Sequence, residues 1–268
     1  MVATLSLDLA TQADAPAKPG FATRDIGGVG IAVLTRTEAL AEVSDAMANR
    51  RHLKLAFCNA HLVNLAAHDQ ALRRELAGFL VLADGIGVDL GGWLLHGASF
   101  PANLNGTDFI PGLLATEKRR LRVALLGGRP GVAARASVRL SLQYPEHRFS
   151  VLSHGYFAPG EEAALLAKLE ATPPDLLLVA FGNPRQERWI SQKLGPQHCS
   201  AAAGVGALFD FLAGEVSRAP EVFRQLRLEW LFRLWLEPSR LWRRYVLGNP
   251  VFVLRMLRAR LFGRRSTR

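Results

Sequence analysis

Asp175-Leu-Leu-Leu-Val-Ala-Phe-Gly-Asn-Pro-Arg-Gln-Glu187 decides the fold. An unbroken apolar run stops at a glycine, and a helical pattern over Arg185–Lys193 begins three residues later. The same unit recurs on both sides. Apolar runs at Gly30–Leu34, Leu53–Cys58, Phe79–Ala83, Arg122–Leu126, Arg148–Leu152 and Ser200–Ala203 read as further strands. Ala60–Leu76, Gly131–Gln143 and Glu161–Ala171 read as helices between them. Strand-helix alternation predicts an α/β fold: a Rossmann-like, largely parallel sheet with helices on both faces. Ligands of such sheets bind beyond the carboxyl ends of the strands. Those positions are polar or glycine-rich here: Cys58-Asn59-Ala60-His61, Asp84-Gly85-Ile86-Gly87, Gly127-Gly128-Arg129-Pro130-Gly131, Gly182 through Glu187, and Gly204-Val205-Gly206 followed by Phe209-Asp210.

The chain's charge is concentrated at one end. Thirteen Arg and three Glu fall between Arg218 and Arg268, and their balance of +10 equals the whole-chain net charge. Three of the five Trp lie in the same segment. From Pro220 onward only helical spacing remains (Val222, Leu226, Trp230, Arg233), which places a C-terminal basic helical appendage at 218–268 after an α/β domain at 25–217. Residues 1–24 read as a disordered leader; Met1–Gly20 has neither the basic start nor the apolar run of a signal peptide. The two cysteines, Cys58 and Cys199, fit a reducing compartment. No apolar stretch of about 18 to 20 residues is present, so no helix is expected to span a bilayer. An arginine-rich segment carrying Trp230, Trp235 and Trp242 seeks a negative surface, and membrane headgroups are the preferred one. Arg233, Arg240, Arg243 and Arg244 are its candidate lipid-phosphate contacts. The alternatives are a helical lid packed on the domain, or a nucleic-acid-binding tail, for which nothing in the first 217 residues speaks.

Individual motifs have two readings. Gly127–Gly131 runs from strand into helix, where backbone N–H groups and Arg129 can meet a phosphate, or where the chain simply turns tightly. Asp84 can take a proton from a hydroxyl, or can cap the helix that follows it. Asp89 reads as helical surface. Gln186 can bond a sugar or diphosphate, with Arg185 and Arg188 beside it, or can belong to a solvated first turn. Asn103, Asn105 and Asp108 form a polar cluster that opens another helix. His61 and His154 are acid-base candidates that packing explains equally well. No Asp-x-Asp pair occurs, which argues against the usual carboxylate site for a divalent metal on a nucleotide-sugar diphosphate.

Taken in order, Ala83-Asp84-Gly85-Ile86-Gly87-Val88, Asn105-Gly106-Thr107-Asp108, Leu126 through Gly131, Gly155-Tyr156-Phe157, Gly182 through Ile190, Gly204 through Gly214, Arg218-Ala219-Pro220 and Trp230 through Pro250 resemble the WecG/TagA/CpsF glycosyltransferase family. The resemblance covers about Gly27 to Leu257. It implies inverting transfer from a UDP-sugar to a polyprenyl-diphosphate-linked sugar, with no metal and no cofactor. It implies Asp84 as the base, which outweighs the capping reading. It also implies Gln186 and Asn59 at the substrate pocket, and an arginine-rich C-terminus that holds the enzyme on the membrane and helps close the site. The expected substrate-binding set is Asn59, Asn103, Asn105, Asp108, Gly127, Gly128, Arg129, Gln186, Gly204, Gly206 and Asp210. Many members have Thr where this chain has Phe57, and Arg where it has Asn103. The second departure points away from an N-acetylmannosamine-type donor. The preferred expectation is therefore glucosyl transfer from UDP-glucose to a glucosyl-diphosphate-lipid in exopolysaccharide synthesis. N-acetylmannosamine(uronic acid) transfer is the alternative, and a non-catalytic UDP-sugar-binding protein is a further one. The expected location is cytoplasmic, peripheral on the inner face of the plasma membrane; homo-oligomerisation is left open.

Overall fold

The computed structural model describes residues 20–221, 223 and 229–262, with the side chains of Pro159 and Arg240 outside that description. Most of the expected leader, and Val222 and Leu226 of the expected helix, lie outside the described residues.

The first described elements are a hairpin, β1 (Thr23–Ile26) and β2 (Val29–Ala32), which pair antiparallel and form a sheet of their own. Gly27 and Gly28 both take positive φ at the turn, the backbone a two-residue hairpin needs. The strand expected at Gly30–Leu34 thus sits in a ribbon outside the parallel sheet. Thr35 then caps α1 (Arg36–Ala48), and Glu38 reaches back to the Thr35 N–H at 2.8 Å.

Six parallel strands follow: β3 (Leu53–Cys58), β4 (Leu80–Ala83), β5 (Arg122–Gly127), β6 (Arg148–Ser153), β7 (Leu176–Ala180) and β8 (Ala201–Gly204). Their order across the sheet is β4-β3-β8-β7-β5-β6. A parallel strand covered on both faces must be apolar throughout, and every residue of β7 and β8 is buried. On one face Leu55, Leu125, Leu176, Leu178 and Ala203 pack under α1, α5 (Gly106–Thr116), α6 (Val132–Gln143) and α9 (Leu208–Leu212). On the other face Ala56, Cys58, Val81 and Ala83 meet α2 (Ala60–Ala67), α3 (Gln70–Leu76) and α4 (Ile86–His96). Leu177 and Val179 meet α7 (Pro159–Ala171) and α8 (Arg185–Lys193). The single helix expected over Ala60–Leu76 is two, because Asp69 accepts from Leu72 N at 2.9 Å and starts α3 afresh. Neighbouring strands β3 and β8 send α2 and α9 to opposite faces, so a crevice opens at their carboxyl ends.

The tail contributes α10 (Glu229–Leu236), α11 (Pro238–Trp242) and α12 (Gly248–Phe262), joined by a π-turn at Arg243–Leu247. There the Gly248 N–H reaches back to Arg243 O, and Pro250, which has no N–H to offer, follows directly. α12 is fastened to the domain. Phe252 and Met256 are fully buried, Asn64 donates to Gly248 O at 2.7 Å, and Arg255 donates to Asn64 Oδ1 at 3.1 Å. Gly91 on α4 lets this helix in close: a Cβ there would stand 3.1 Å from the Phe252 ring. Among the described residues no helix is long and apolar enough to cross a membrane.

Candidate active site

Two chambers meet at Asp84. The larger, about 500 Å³, lies over the ends of β3, β5, β7 and β8 and is polar; Gly128, Gly182, Gly206 and Asp210 are among its walls. The smaller, about 290 Å³, lies under the tail between the first turns of α2 and α4. Its walls include Ile86, Leu90, Trp230, Tyr245, Phe252 and Val253. Asn59, Asp84, Asn105, Glu229, Arg233 and Arg244 line both.

Asp84 follows β4 directly, and its N–H donates to Cys58 O at 2.9 Å, which extends the strand pairing by one residue. It does not cap α4. The cap position is Gly85, at φ +88°, with no side-chain bond to the helix. The Asp84 carboxylate instead accepts from Asn59 Nδ2 at 3.2 Å. Asn59 meanwhile caps α2 through its Oδ1, which accepts from Leu62 N. One amide therefore fixes the ends of two adjacent strands. Burial lifts the Asp84 carboxyl above its ordinary value, against the lowering pull of the Asn59 hydrogen bond, Arg244 and Arg233. A recessed carboxylate with a raised pKa and one long hydrogen bond is suited to accept a proton from a hydroxyl.

Around it, α4 presents an uncapped N-terminus to the smaller chamber, and Gly85, Ile86 and Gly87 are among its walls. Gly87 permits the first turns of α2 and α4 to converge, since a Cβ there would meet the Ala60 Cβ at 2.9 Å. Arg233 and Arg244 reach in from the tail. Their guanidinium carbons stand 5.4 Å from the Phe211 and Tyr245 ring centroids, and the Nε of each is buried with no hydrogen-bond partner. Arg233 and Arg244 stand among the acidic walls Asp84 and Glu229, and the first turns of α2 and α4 add helix-dipole ends that favour an anionic group between them. His61 faces the smaller chamber as a neutral imidazole, its pKa lowered to about 4 by burial and by Arg244. His154 accepts from Tyr156 N at 3.1 Å and shapes a turn.

Of the eleven expected substrate-binding residues all but Gly127 line one of the chambers, and several of them also hold the rim together. Gln186 is buried, and its Oε1 accepts from Gly182 N at 3.1 Å and Gly206 N at 3.0 Å, while its Nε2 donates to Glu187 Oε1 at 2.8 Å. It clamps two rim loops together. Gly204 must be glycine to admit it, because a Cβ there would lie 2.8 Å from Nε2. Asn103 Oδ1 accepts from Gly85 N at 2.8 Å and steadies the turn after Asp84. Asn105 caps α5 through Asp108 N, and Asp108 is bonded by Asn105 and paired with Arg218. Gly127 lies behind the chamber wall: a Cβ on it would be 2.6 Å from Ala180 O. Gly128 lines the larger chamber, but its N–H donates to Ala180 O at 3.0 Å. Arg129, at the rim, pairs with Glu215 at 3.0 Å. The phosphate cradle expected at Gly127–Gly131 therefore has its Gly128 donor and its arginine already partnered.

Other placements correct the sequence reading. Asp89 is buried rather than surface, and accepts from Phe100 N at 3.2 Å. Of the four arginines assigned to lipid phosphate, Arg233 and Arg244 turn inward, because Trp230 stacks on Tyr245 at 5.7 Å and folds α10 against the π-turn. Arg243 lies outside both chambers beside Trp242, and the Arg240 side chain is outside the described residues. Trp230 also turns inward, while Trp235 and Trp242 are exposed. Sequence reasoning gave no role to Glu187, which is buried and holds both Gln186 and Asn183. Its signal was an acid adjacent to the motif glutamine.

The crevice at the strand ends thus holds two chambers with the buried Asp84 carboxylate on their shared wall. The model of the glycosyl transferase WecG/TagA/CpsF family matches residues 24–266, and the chain belongs to that glycosyltransferase family. A relative from Bacillus spizizenii (strain ATCC 23059 / NRRL B-14472 / W23) is 35% identical over 181 residues, covering 66% of this chain and 68% of the relative. One from Bacillus subtilis (strain 168) is 33% identical over 182 residues, with the same coverage of 66% and 68%. Both are named N-acetylglucosaminyldiphosphoundecaprenol N-acetyl-beta-D-mannosaminyltransferase.

Proposed function

We propose that this enzyme transfers an N-acetylmannosamine-type sugar from a UDP-sugar to an N-acetylglucosaminyl-diphosphate carried on a polyprenol. The observation that carries the reading is the position of Asp84 on the wall between a polar chamber and a more apolar one into which Arg233, Arg244 and the first turn of α4 also reach. The donor occupies the larger chamber and the acceptor the smaller. The acceptor hydroxyl oxygen attacks the anomeric carbon, its proton passes to Asp84, and the bond from that carbon to the diphosphate oxygen breaks. Arg233 and Arg244 meet the charge that develops on departing UDP. The family and both relatives' names support this over the glucosyl preference. That preference rested on Asn103, and Asn103 is bound to Gly85 N beside the acceptor chamber, so its identity does not report on the donor sugar.

The tail also supports a peripheral membrane role. Leu247, Val251 and Leu254 form an exposed apolar row along α12 and the turn before it, which the exposed Arg258 and Leu261 continue, with Trp235, Trp242 and Arg243 nearby in sequence. The test is UDP release from purified protein with a panel of UDP-sugars, with and without polyprenyl-diphosphate-N-acetylglucosamine, in EDTA. Acceptor-dependent release from UDP-N-acetylmannosamine supports the reading. Release from UDP-glucose alone restores the glucosyl one, and dependence on added divalent metal overturns the metal-free mechanism.

A further inference from the structure

α4 has one face against the protein and another left bare. Val88, Gly91 and Gly92 are buried, whereas Ile86, Leu90 and Trp93 are 45%, 37% and 54% exposed. These three stand at i, i+4 and i+7, so they form one row roughly 10 Å long. Ile86 and Leu90 line the smaller chamber, and Trp93 lies beyond it. A second row faces it from α12. Val253 lines the same chamber, Leu257 is exposed one turn on, and Arg260 docks on α4. Its guanidinium donates to Leu94 O at 3.1 Å and stands 6.0 Å from the Trp93 ring centroid. Positions 253, 257 and 260 share a helix face. The two rows therefore flank one apolar groove, which begins at the chamber beside Asp84 and ends under Arg260.

Large apolar side chains in an ordered exposed row mark a binding surface more often than a solvated one. The head of this groove carries Arg233 and Arg244 among the carboxylates Asp84, Asp108 and Glu229 and is bordered by the first turns of α2 and α4, while its length is apolar. The matching ligand has an anionic head joined directly to a hydrocarbon chain. A chain attached to a diphosphate in the smaller chamber must leave it somewhere. The larger chamber is polar, and the groove is the apolar way out. It runs beside the exposed row of α12, toward the same surface that would face lipid.

We propose that the α4–α12 groove holds the first isoprene units of the acceptor's lipid chain, so that the enzyme grips its acceptor by the tail as well as by the diphosphate. This rests on the acceptor reading above. The test uses full-length protein carrying Trp93→Ser, Leu257→Ser or both, assayed with two acceptors. One bears undecaprenol and the other a chain of a few carbons on the same sugar diphosphate. The expected result is a KM for the undecaprenyl acceptor raised at least tenfold in the double variant. Its kcat/KM with the short acceptor, and its flotation with phosphatidylglycerol vesicles, should stay within twofold of wild type. No rise with the long acceptor, or an equal rise with both, overturns the groove. Flotation lost in step with activity assigns the two residues to membrane contact and overturns it as well. Wild-type protein that turns over neither acceptor sinks the functional reading and the groove together. Wild-type turnover with variants that fail to discriminate sinks the groove alone.

Discussion

Asp84→Asn separates chemistry from folding at the site's central residue. Asparagine keeps the shape and can still accept the Asn59 Nδ2 hydrogen bond, so the link between β3 and β4 survives. What disappears is the proton acceptor. A positioned general base contributes roughly 10²–10⁴-fold, so kcat should fall by that factor, about 3–5 kcal/mol of activation free energy. Stability should move the other way. Burial raises the folded-state pKa of Asp84, so its contribution favours the fold below the ordinary carboxylate range and is lost as pH rises through the raised value. Above that raised value the wild-type protein bears the cost of an ionised, desolvated carboxylate, and the Asn variant does not. The variant should therefore melt no lower than wild type there. Wild-type kcat/KM should lose activity as pH falls through that raised pKa, and the residual activity of the variant should lack this acid limb. The assay is UDP release against pH, beside thermal melts of both proteins. A folded variant retaining more than about a tenth of wild-type kcat, or an unchanged acid limb, refutes the role.

The neighbouring residues carry further expectations. Arg244→Gln removes a cation that holds the Asp84 pKa down, so the acid limb should shift to higher pH and activity should fall more at pH 6 than at pH 8; a pH–rate profile checks this. Gln186→Ala deprives Gly182 N and Gly206 N of their acceptor, at about 1–3 kcal/mol for each donor left unsatisfied, and urea unfolding should show a loss of about 2–6 kcal/mol for the two together. Gly127→Ala places a Cβ against the Ala180 carbonyl at a backbone angle of +123°, and should cost at least about 2 kcal/mol in the same experiment.

The sheet was legible because buried parallel strands leave unmistakable sequence. Leu53–Cys58 and Arg185–Lys193 have the same boundaries in sequence and structure, since an apolar run and a helical pattern each end where solvent or a glycine begins. The hairpin was misplaced for the same reason: Val29–Ala32 is as apolar as a sheet strand, and only Gly27-Gly28 betrayed its turn. Asp89 was misread because period alone puts it at the surface. The Gly91-Gly92 pair was the missed cue, since a Cβ on Gly92 would meet Ala98 O at 2.9 Å, and the loop it admits brings the Phe100 N–H to the Asp89 carboxylate.

The site was legible as a set of positions and not as a set of roles. Polar residues cluster at the rim because the sheet ends there. Which of them face a ligand is decided by hydrogen bonds between segments far apart in the chain. Gln186, Asn103 and Asn105 carry the amide chemistry that recognises sugars, yet they are hydrogen-bonded to Gly182, Gly206, Glu187, Gly85, Thr107 and Asp108. They hold the loops on which the open chambers depend. The reverse holds for the tail. Arginine among tryptophans reads as a membrane motif, and the sequence does not distinguish the inward Arg233 and Arg244 from the outward Arg243. The distinction arises only when Trp230 packs on Tyr245 and the tail closes over Asp84. That closure joins the two halves of the chemistry. The domain supplies the carboxylate whose pKa burial raises, and the tail supplies the two arginines that pull it back down. Because the same tail that brings those cations also borders the apolar groove, the proposed capture of a lipid-borne acceptor would depend on the docking of the tail.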